Sequence, residues 1–457
     1  MKKLLFFPIE IKSRELMPRL LMSLFALKKN YYCFIGSKQG IFRATRHFSP
    51  GNYFYKSINH TDLPHIKMIK NLKNNYFVLD EEGGFQYSSS KEINKFITYR
   101  SSQKNVEQID KFFTWGKFDY AEWKKRYLIY KNKFILSGSP RIDFWKNSII
   151  KKIYKNELIE IKKKFDKNLI LIISSFVTSE KEIKKSMRNY EHWHKFRNNK
   201  ARLKQLKQRK SDLALLKKFI KLINFLSIKN PNCNFVIRPH PSENINDWKK
   251  FIKKMGKNIY VTKEFDVTPW IYSSKYVIHN SSAVGLQTAG MKKNLITYRP
   301  KGFIYDRNFT NKFGYVVNTR KKVNNIINSN PNYEKIKNQN FKKLKNKFFY
   351  INKNKFVSEK LIQEISKNNN LKSKCGFIKL YFFSYAYKIK DFIFMILQKF
   401  IKKKEKKLPT LRSSSEKLSG GIKREEILKF FQSMSNYNFS IKIIKFCNNC
   451  YFVFRKK

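Results

Sequence analysis

Asn234-Phe235-Val236-Ile237-Arg238-Pro239-His240-Pro241 sets a short apolar run directly before a rigid polar loop. The run has the length and composition of a buried parallel strand, and parallel α/β sheets hold their ligands at the carboxyl ends of such strands. The prolines on either side of His240 restrict the backbone, which holds the imidazole in one direction. A fixed imidazole can protonate or bind a departing phosphate oxygen, and Arg238 can reinforce that charge.

Further units of the same kind surround it. Leu169 to Ile173 is a second buried strand and ends in the polar turn that begins at Ser174. A long basic helical stretch runs from about Glu180 to Leu226. Tyr276 to His279 is another strand, followed by Asn280-Ser281-Ser282 and a helical stretch that carries Gln287. Ser281 or Ser282 would cap that helix, whose free N–H groups suit an anion. Strands at Ile259 to Thr262, Leu295 to Thr297 and Tyr315 to Val317 complete the alternation.

The amino-terminal section has the same rhythm. Strands are expected at Leu4 to Phe7, Tyr31 to Ile35, Tyr76 to Leu79, Lys111 to Thr114 and Phe134 to Ser137, with helices at Arg14 to Lys28 and Asp62 to Leu72. The third strand ends in Asp80-Glu81-Glu82-Gly83-Gly84. Three adjacent carboxylates repel one another, which raises the proton affinity of at least one and suits a general base. Glycine lets the backbone turn and a substrate approach. The solvated acidic loop is the plainer alternative. An acidic loop and a phosphate-handling histidine about 150 residues apart suggest a reaction cleft between two domains.

Composition limits the partners. The chain has 457 residues, 42% hydrophobic and 16% aromatic, enough for two packed cores. Its net charge is +66, from 98 Lys+Arg against 32 Asp+Glu. That excess has two readings: the lysine and asparagine bias of AT-rich coding, or affinity for anionic lipid or polyanions. No nucleic-acid partner is expected, because no RNP-like, zinc-finger or helix-turn-helix pattern accompanies the charge. Met1-Lys2-Lys3 and the following apolar residues read as a buried first strand rather than a signal peptide. No apolar run is long enough to span a bilayer.

After about residue 330 the text becomes rich in Asn and Lys. Gly376 to Phe400 is densely aromatic and aliphatic, broken by Lys379, Lys388, Lys390 and Asp391, and is followed by Lys402-Lys403-Lys404-Glu405-Lys406-Lys407. It suits an interfacial helix on an anionic membrane surface, or a helix that packs back on the protein. Pro409 to Gly421 reads as a linker. Five scattered cysteines make no disulfide framework, and Cys447-Asn-Asn-Cys450 reads as two ordinary thiols. His192-Trp193-His194 has the wrong helical spacing for a metal.

Several of these motifs in order resemble the bacterial surface carbohydrate biosynthesis protein family. They are Leu79 to Gly83, Trp115-Gly116, Gly138-Ser-Pro-Arg-Ile-Asp143, Arg238 to Glu243, and Pro269-Trp-Ile with His279 to Ser282. The resemblance covers roughly residues 1 to 320. The acidic pair before glycine, the His-Pro dipeptide and the serine pair are also similar to those of bacterial GT-B sialyltransferases. The resemblance implies an α/β protein of GT-B type, with two Rossmann-like domains facing across a cleft and a basic helical carboxyl-terminal tail. Residues 1–150 would hold the acceptor, 165–330 the nucleotide donor, and 331–457 would form the tail.

By position, the resemblance implies Glu82 as base beside Glu81, with Asp80, Gly83 and Glu10 on the acceptor side. His240 would assist the departing phosphate, and Arg238, Ser174, Ser281, Ser282 and Gln287 would hold the donor. No metal or cofactor is implied. Relatives commonly carry Glu where this chain has Gln287, which leaves a hydrogen bond with less charge assistance. The expected activity is transfer of a sugar, favoured as a CMP-linked nonulosonate or ulosonate, to a glycan or lipid-linked acceptor. The expected place is the cytoplasm, peripheral on the inner face of the plasma membrane. The alternatives are a polyol-phosphate or NDP-sugar transferase, and a non-catalytic assembly protein.

Overall fold

Among the described residues, eight strands form one sheet and six another, each sheet with its own helices and core. The computed structural model describes residues 3–84, 87–165, 168–176, 178–194, 199–240, 243–253, 255–304, 309–329, 333–352, 354–367, 371, 373, 375–401, 418, 420–434 and 440–456. It divides into a first unit, Met1–Ile153 with Lys345–Lys457, and a second unit, Tyr154–Leu344.

In the first unit, β1 (Lys3–Ile9), β2 (Tyr31–Ser37), β3 (Asn52–Tyr55), β4 (Asn75–Leu79), β5 (Lys111–Thr114) and β6 (Phe134–Leu136) are parallel. Their apolar runs are buried because helices cover the sheet, as the absence of polar alternation predicts. The order β2-β1-β3-β4-β5-β6 reverses direction between β1 and β3, which makes that junction the unit's topological switch point.

In the second unit, β7 (Leu169–Ile173), β8 (Asn234–Arg238), β9 (Ile259–Val261), β10 (Tyr276–His279), β11 (Leu295–Tyr298) and β12 (Tyr315–Val317) form an all-parallel sheet. Its order is β12-β11-β10-β7-β8-β9, so the switch point lies between β7 and β10.

The end of the chain departs from the expected helical tail. β13 (Ile441–Cys447) and β14 (Cys450–Arg455) form a hairpin whose second strand pairs antiparallel with β2, from Cys450 opposite Gly36 to Val453 opposite Cys33. The residues after Lys345 therefore return to the first unit instead of standing apart. Burial drives the pairing: Phe446, Cys450, Phe452 and Phe454 join the same apolar cluster as Phe6, Phe34 and Phe48. Cys447 and Cys450 are both buried and face each other across the hairpin. The helix Val357–Lys367 is tied in by Asp143, whose carboxylate accepts from the N–H groups of Val357 and Ser358, both at 2.9 Å. Most of the linker read at Pro409 to Gly421 lies outside the described residues, as do the side chains of His192 to His194.

Candidate functional site

The acidic loop of the first unit is caged by arginine. Arg100, from the helix Ser90–Arg100, donates through Nε to Asp80 Oδ2 (2.8 Å) and through Nη2 to Oδ1 (3.1 Å), and Nη1 reaches Glu82 Oε2 at 2.9 Å. Glu81 is buried and accepts from Arg19 Nη2 at 2.9 Å, while its other oxygen has no hydrogen-bond partner among the described residues. Arg19 itself is completely buried in the helix Lys12–Lys28 and lies 4.5 Å from the Phe54 ring. Glu15, four residues earlier on that helix, is also buried; burial first, then the charge of Glu81, pushes its carboxyl up.

The Asp80 carboxyl is pushed up, and the main cause is burial rather than the expected mutual repulsion. Charge repulsion from Glu82 is a lesser contribution. Glu82 is the least buried member, half-buried with its side chain 43% exposed, and so the one a solvent-borne group can reach. Gly83 and Gly84 lie under Trp115: a Cβ on either would come 3.0 Å from the indole, and Gly84 also has φ +72°. Trp115 in turn donates Nε1–H to the Asp80 carbonyl at 2.7 Å. Glu10 stands at the end of β1, at the switch point, and pairs with Lys56 from the end of β3 at 2.9 Å.

Sequence reasoning missed Arg19, Arg100 and Asp119. Asp119 accepts from the N–H groups of Trp115 (2.8 Å) and Gly116 (2.7 Å), and burial lifts its carboxyl to about 7. Its signal was present as an acid three residues after Gly116, the spacing of a helix-capping box.

The second unit gathers its site residues on the loops after β7, β8 and β10. His240 follows β8 and is exposed; its carbonyl accepts from Glu243 N at 2.9 Å. Pro241 and Ser242 lie outside the described residues. Arg238 donates to the carbonyls of Glu264 and Phe265 and sits 5.9 Å from the Trp270 ring; burial draws its guanidinium down to about 10. Ser174 donates its hydroxyl to Glu243 at 2.5 Å, so that hydroxyl joins two loops.

Glu243 is the organiser that sequence reasoning passed over. Its buried carboxylate also accepts from Phe176 N (2.5 Å) and Trp248 Nε1 (2.7 Å), and burial pushes its proton affinity up. Three donors, two from the loop after β7 and one from the helix Ile245–Ile252, thus fix the backbone that leads out of His240.

After β10 the chain turns sharply. Ser281 has φ +55°, a left-handed conformation uncommon for a residue with a side chain. Asn311 stabilises it with both ends of its amide: Oδ1 accepts from Ser281 N and Nδ2 donates to Ser281 Oγ, each at 2.8 Å. Ser282 accepts from Val284 N at 3.3 Å, in the first turn of the short helix Val284–Gly290. Gln287 donates to Thr268 Oγ1 at 2.9 Å. His279 is buried against Gly285 and hydrogen-bonds with Thr297 Oγ1 at 2.8 Å; burial lowers its pKa to about 3, which makes it a neutral core residue. At the ends of β11 and β12 lies a basic cavity of about 380 Å³, lined by Arg299, Lys301 and Lys322 among others. Among the described residues no group of three His, Cys, Asp or Glu is placed to hold a metal ion.

The loops after β7 and β10 flank the switch point of their sheet, with His240 one strand further along. No family model matches the chain, and no curated protein matches it. Solved structures do. A proposed UDP-N-acetylglucosamine 2-epimerase from Listeria monocytogenes is 11% identical with a TM-score of 0.50, over 80% of this chain and 96% of that one. The UDP-GlcNAc 2-epimerase from Neisseria meningitidis, bound to UDP-GlcNAc, is 13% identical with a TM-score of 0.49, over 80% and 100%. The wall teichoic acid polymerase TagF is 12% identical with a TM-score of 0.48, over 80% and 89%. At such identity a likeness speaks to fold, and the first of these carries it. The protein has a GT-B-type fold, built of two Rossmann-like α/β domains.

Proposed function

We propose that the protein is a GT-B glycosyltransferase of surface-polysaccharide synthesis that uses a nucleotide-linked donor. The observation that supports it most is the second unit's switch point, where an exposed histidine, a strained serine and its neighbour Ser282 end adjacent or near-adjacent strands. Enzymes of nucleotide sugars, such as the Listeria neighbour by its name, share this fold.

In this reading His240 donates a proton or hydrogen bond to the phosphate oxygen as the bond from sugar to phosphate breaks. The Ser281–Ser282 turn faces the same phosphate, and Gln287 and Arg238 shape the donor loops around it. Glu82, directed by Arg100, takes the proton of the acceptor hydroxyl whose oxygen forms the new bond. Glu81 and Asp80 position that loop through their arginines. The reaction balances: one proton passes to Glu82, and the leaving nucleotide carries the electron pair of the broken bond.

A CMP-linked nonulosonate or ulosonate is the donor that the motif resemblance favours; the name of the Listeria neighbour points to a UDP-linked one, and the polyol-phosphate alternative to a CDP-linked one. Thermal melts with CMP, CDP and UDP separate them. A ligand at a hundred times its Kd adds about 2.7 kcal/mol to the state that binds it. Stabilisation by CMP supports the favoured donor, a clear preference for UDP or CDP replaces it, and no response to any of the three removes the donor-site reading.

A further inference from the structure

The helix Phe377–Ile401 is apolar on two opposite sides, and the protein covers one of them. Leu380, Phe383, Tyr387 and Asp391 fall on the covered side. Leu380 is fully buried, Phe383 stacks on His47 with ring centres 3.7 Å apart, and the Tyr387 hydroxyl hydrogen-bonds with His47 Nε2 at 2.8 Å. Asp391 accepts from Arg43 Nη1 (2.8 Å) and Asn448 N (2.9 Å), and Ser384 donates to the Lys445 carbonyl at 2.7 Å. These contacts fix the rotation of the helix on the first unit, so the residues on its outer side are held there.

That outer side carries Ile378, Phe382, Tyr385, Ile389, Phe392 and Ile396. Their steps of four, three, four, three and four residues keep them on one stripe at about 3.6 residues per turn. Ile378 is 89% exposed, and Phe382 and Tyr385 are each 67% exposed. Tyr381 and Ile393 widen the stripe. Lys388 borders it on one edge, Lys379 and Lys390 on the other, all three exposed, and the sequence continues into Lys402-Lys403-Lys404-Glu405-Lys406-Lys407.

We infer that this stripe docks the protein on an anionic lipid surface, with the helix lying in the plane of the headgroups. A continuous apolar face edged by lysine fits that environment: aliphatic and aromatic groups enter the acyl boundary while lysines meet lipid phosphates. Charge selects lipid over a second copy of the chain. Two copies joined through this stripe would bring lysine edges together in a protein of net charge +66, whereas an anionic bilayer is complementary to them. Among the described residues no helix is long and apolar enough to cross a membrane, so the helix lies on the surface rather than spanning it. The inference is independent of the donor and of the transferase reading.

The full chain is sedimented with vesicles of phosphatidylcholine and phosphatidylglycerol, with vesicles of phosphatidylcholine alone, and with none. Binding at least about tenfold stronger on the anionic vesicles is expected from lysines at a charged surface. Ile378→Glu with Phe382→Glu should abolish most of that binding, and Lys388→Glu with Lys390→Glu should remove the preference for the anionic vesicles. Circular dichroism and the melting midpoint should not change, since all four positions are exposed. Equal binding to both vesicle types would overturn the inference. So would undiminished binding by the Ile378→Glu, Phe382→Glu variant, or a loss of self-association by that variant without any vesicle binding in the parent.

Discussion

The loops after β4 and after β8 occupy equivalent strand ends but treat buried charge in opposite ways. After β4, carboxylates are countered by full positive charges, Arg19 on Glu81 and Arg100 on Asp80 and Glu82. After β8, the buried Glu243 carboxylate accepts from neutral donors, a hydroxyl, a backbone N–H and an indole N–H, while the Lys263 ammonium donates to the Glu243 backbone carbonyl. The first arrangement immobilises nearly every charge it contains. The second holds its carboxylate oxygens with uncharged groups, keeps its cation on a backbone carbonyl, and leaves His240 exposed, as its proposed role as proton donor needs.

The largest effect should come from breaking the cage. Arg19→Leu leaves Glu81 buried without its cation, and removal of one partner of a buried pair costs about 3–5 kcal/mol. Denaturant midpoints measure it; a loss below ~1 kcal/mol would mean that water or rearrangement replaces the arginine. On the other side, His240→Ala should leave stability within about 0.5 kcal/mol, because the side chain is exposed. Transfer from whichever nucleotide-linked donor stabilises the protein should fall about 10²- to 10⁴-fold. Unchanged turnover would deny His240 a part in the chemistry.

A smaller effect sharpens the contrast through pH. Asp119 of the first unit, raised to about 7, keeps a proton in the folded chain that the unfolded chain releases near pH 4, so its contribution falls as pH rises through that window. His279 of the second unit, lowered to about 3, stays neutral where the unfolded chain is protonated below about pH 6.5, so its contribution falls as pH falls. From about pH 4 to 6.5 the two slopes oppose each other. Relative to the parent chain, Asp119→Asn should tilt stability upward with pH across this range, and His279→Gln should tilt it downward. Parallel curves for all three proteins would show that neither group titrates as its burial requires.

Local patterns in the sequence were enough to place most strands and to put the candidate residues on their ends. Lys111 to Thr114 matches β5, and Leu169 to Ile173 matches β7, because unbroken apolar runs bounded by polar residues have few other uses in an α/β chain. β3 escaped notice: it has four residues, begins with Asn52 and follows Pro50-Gly51 closely. β13 and β14 were hidden by the lysine of the surrounding text, and β2, the partner of β14, lies some 400 residues earlier. The arginine cage was illegible for a related reason. Arg19 sits on the buried face of a helix rich in Leu, Met and Phe, and nothing near it in sequence announces Glu81 as its partner.

The hairpin that closes on β2 also orders events in time. Synthesis runs from the amino end, so the continuous stretch 154–344 can assemble its whole sheet while the protein is still being made. The opening 153 residues cannot finish: the free edge of β2, from Cys33 to Gly36, has no partner until β14 is translated. Nascent chains thus expose an apolar strand edge from the making of β2 until β14 follows, and β2 is among the last elements to reach its final neighbours.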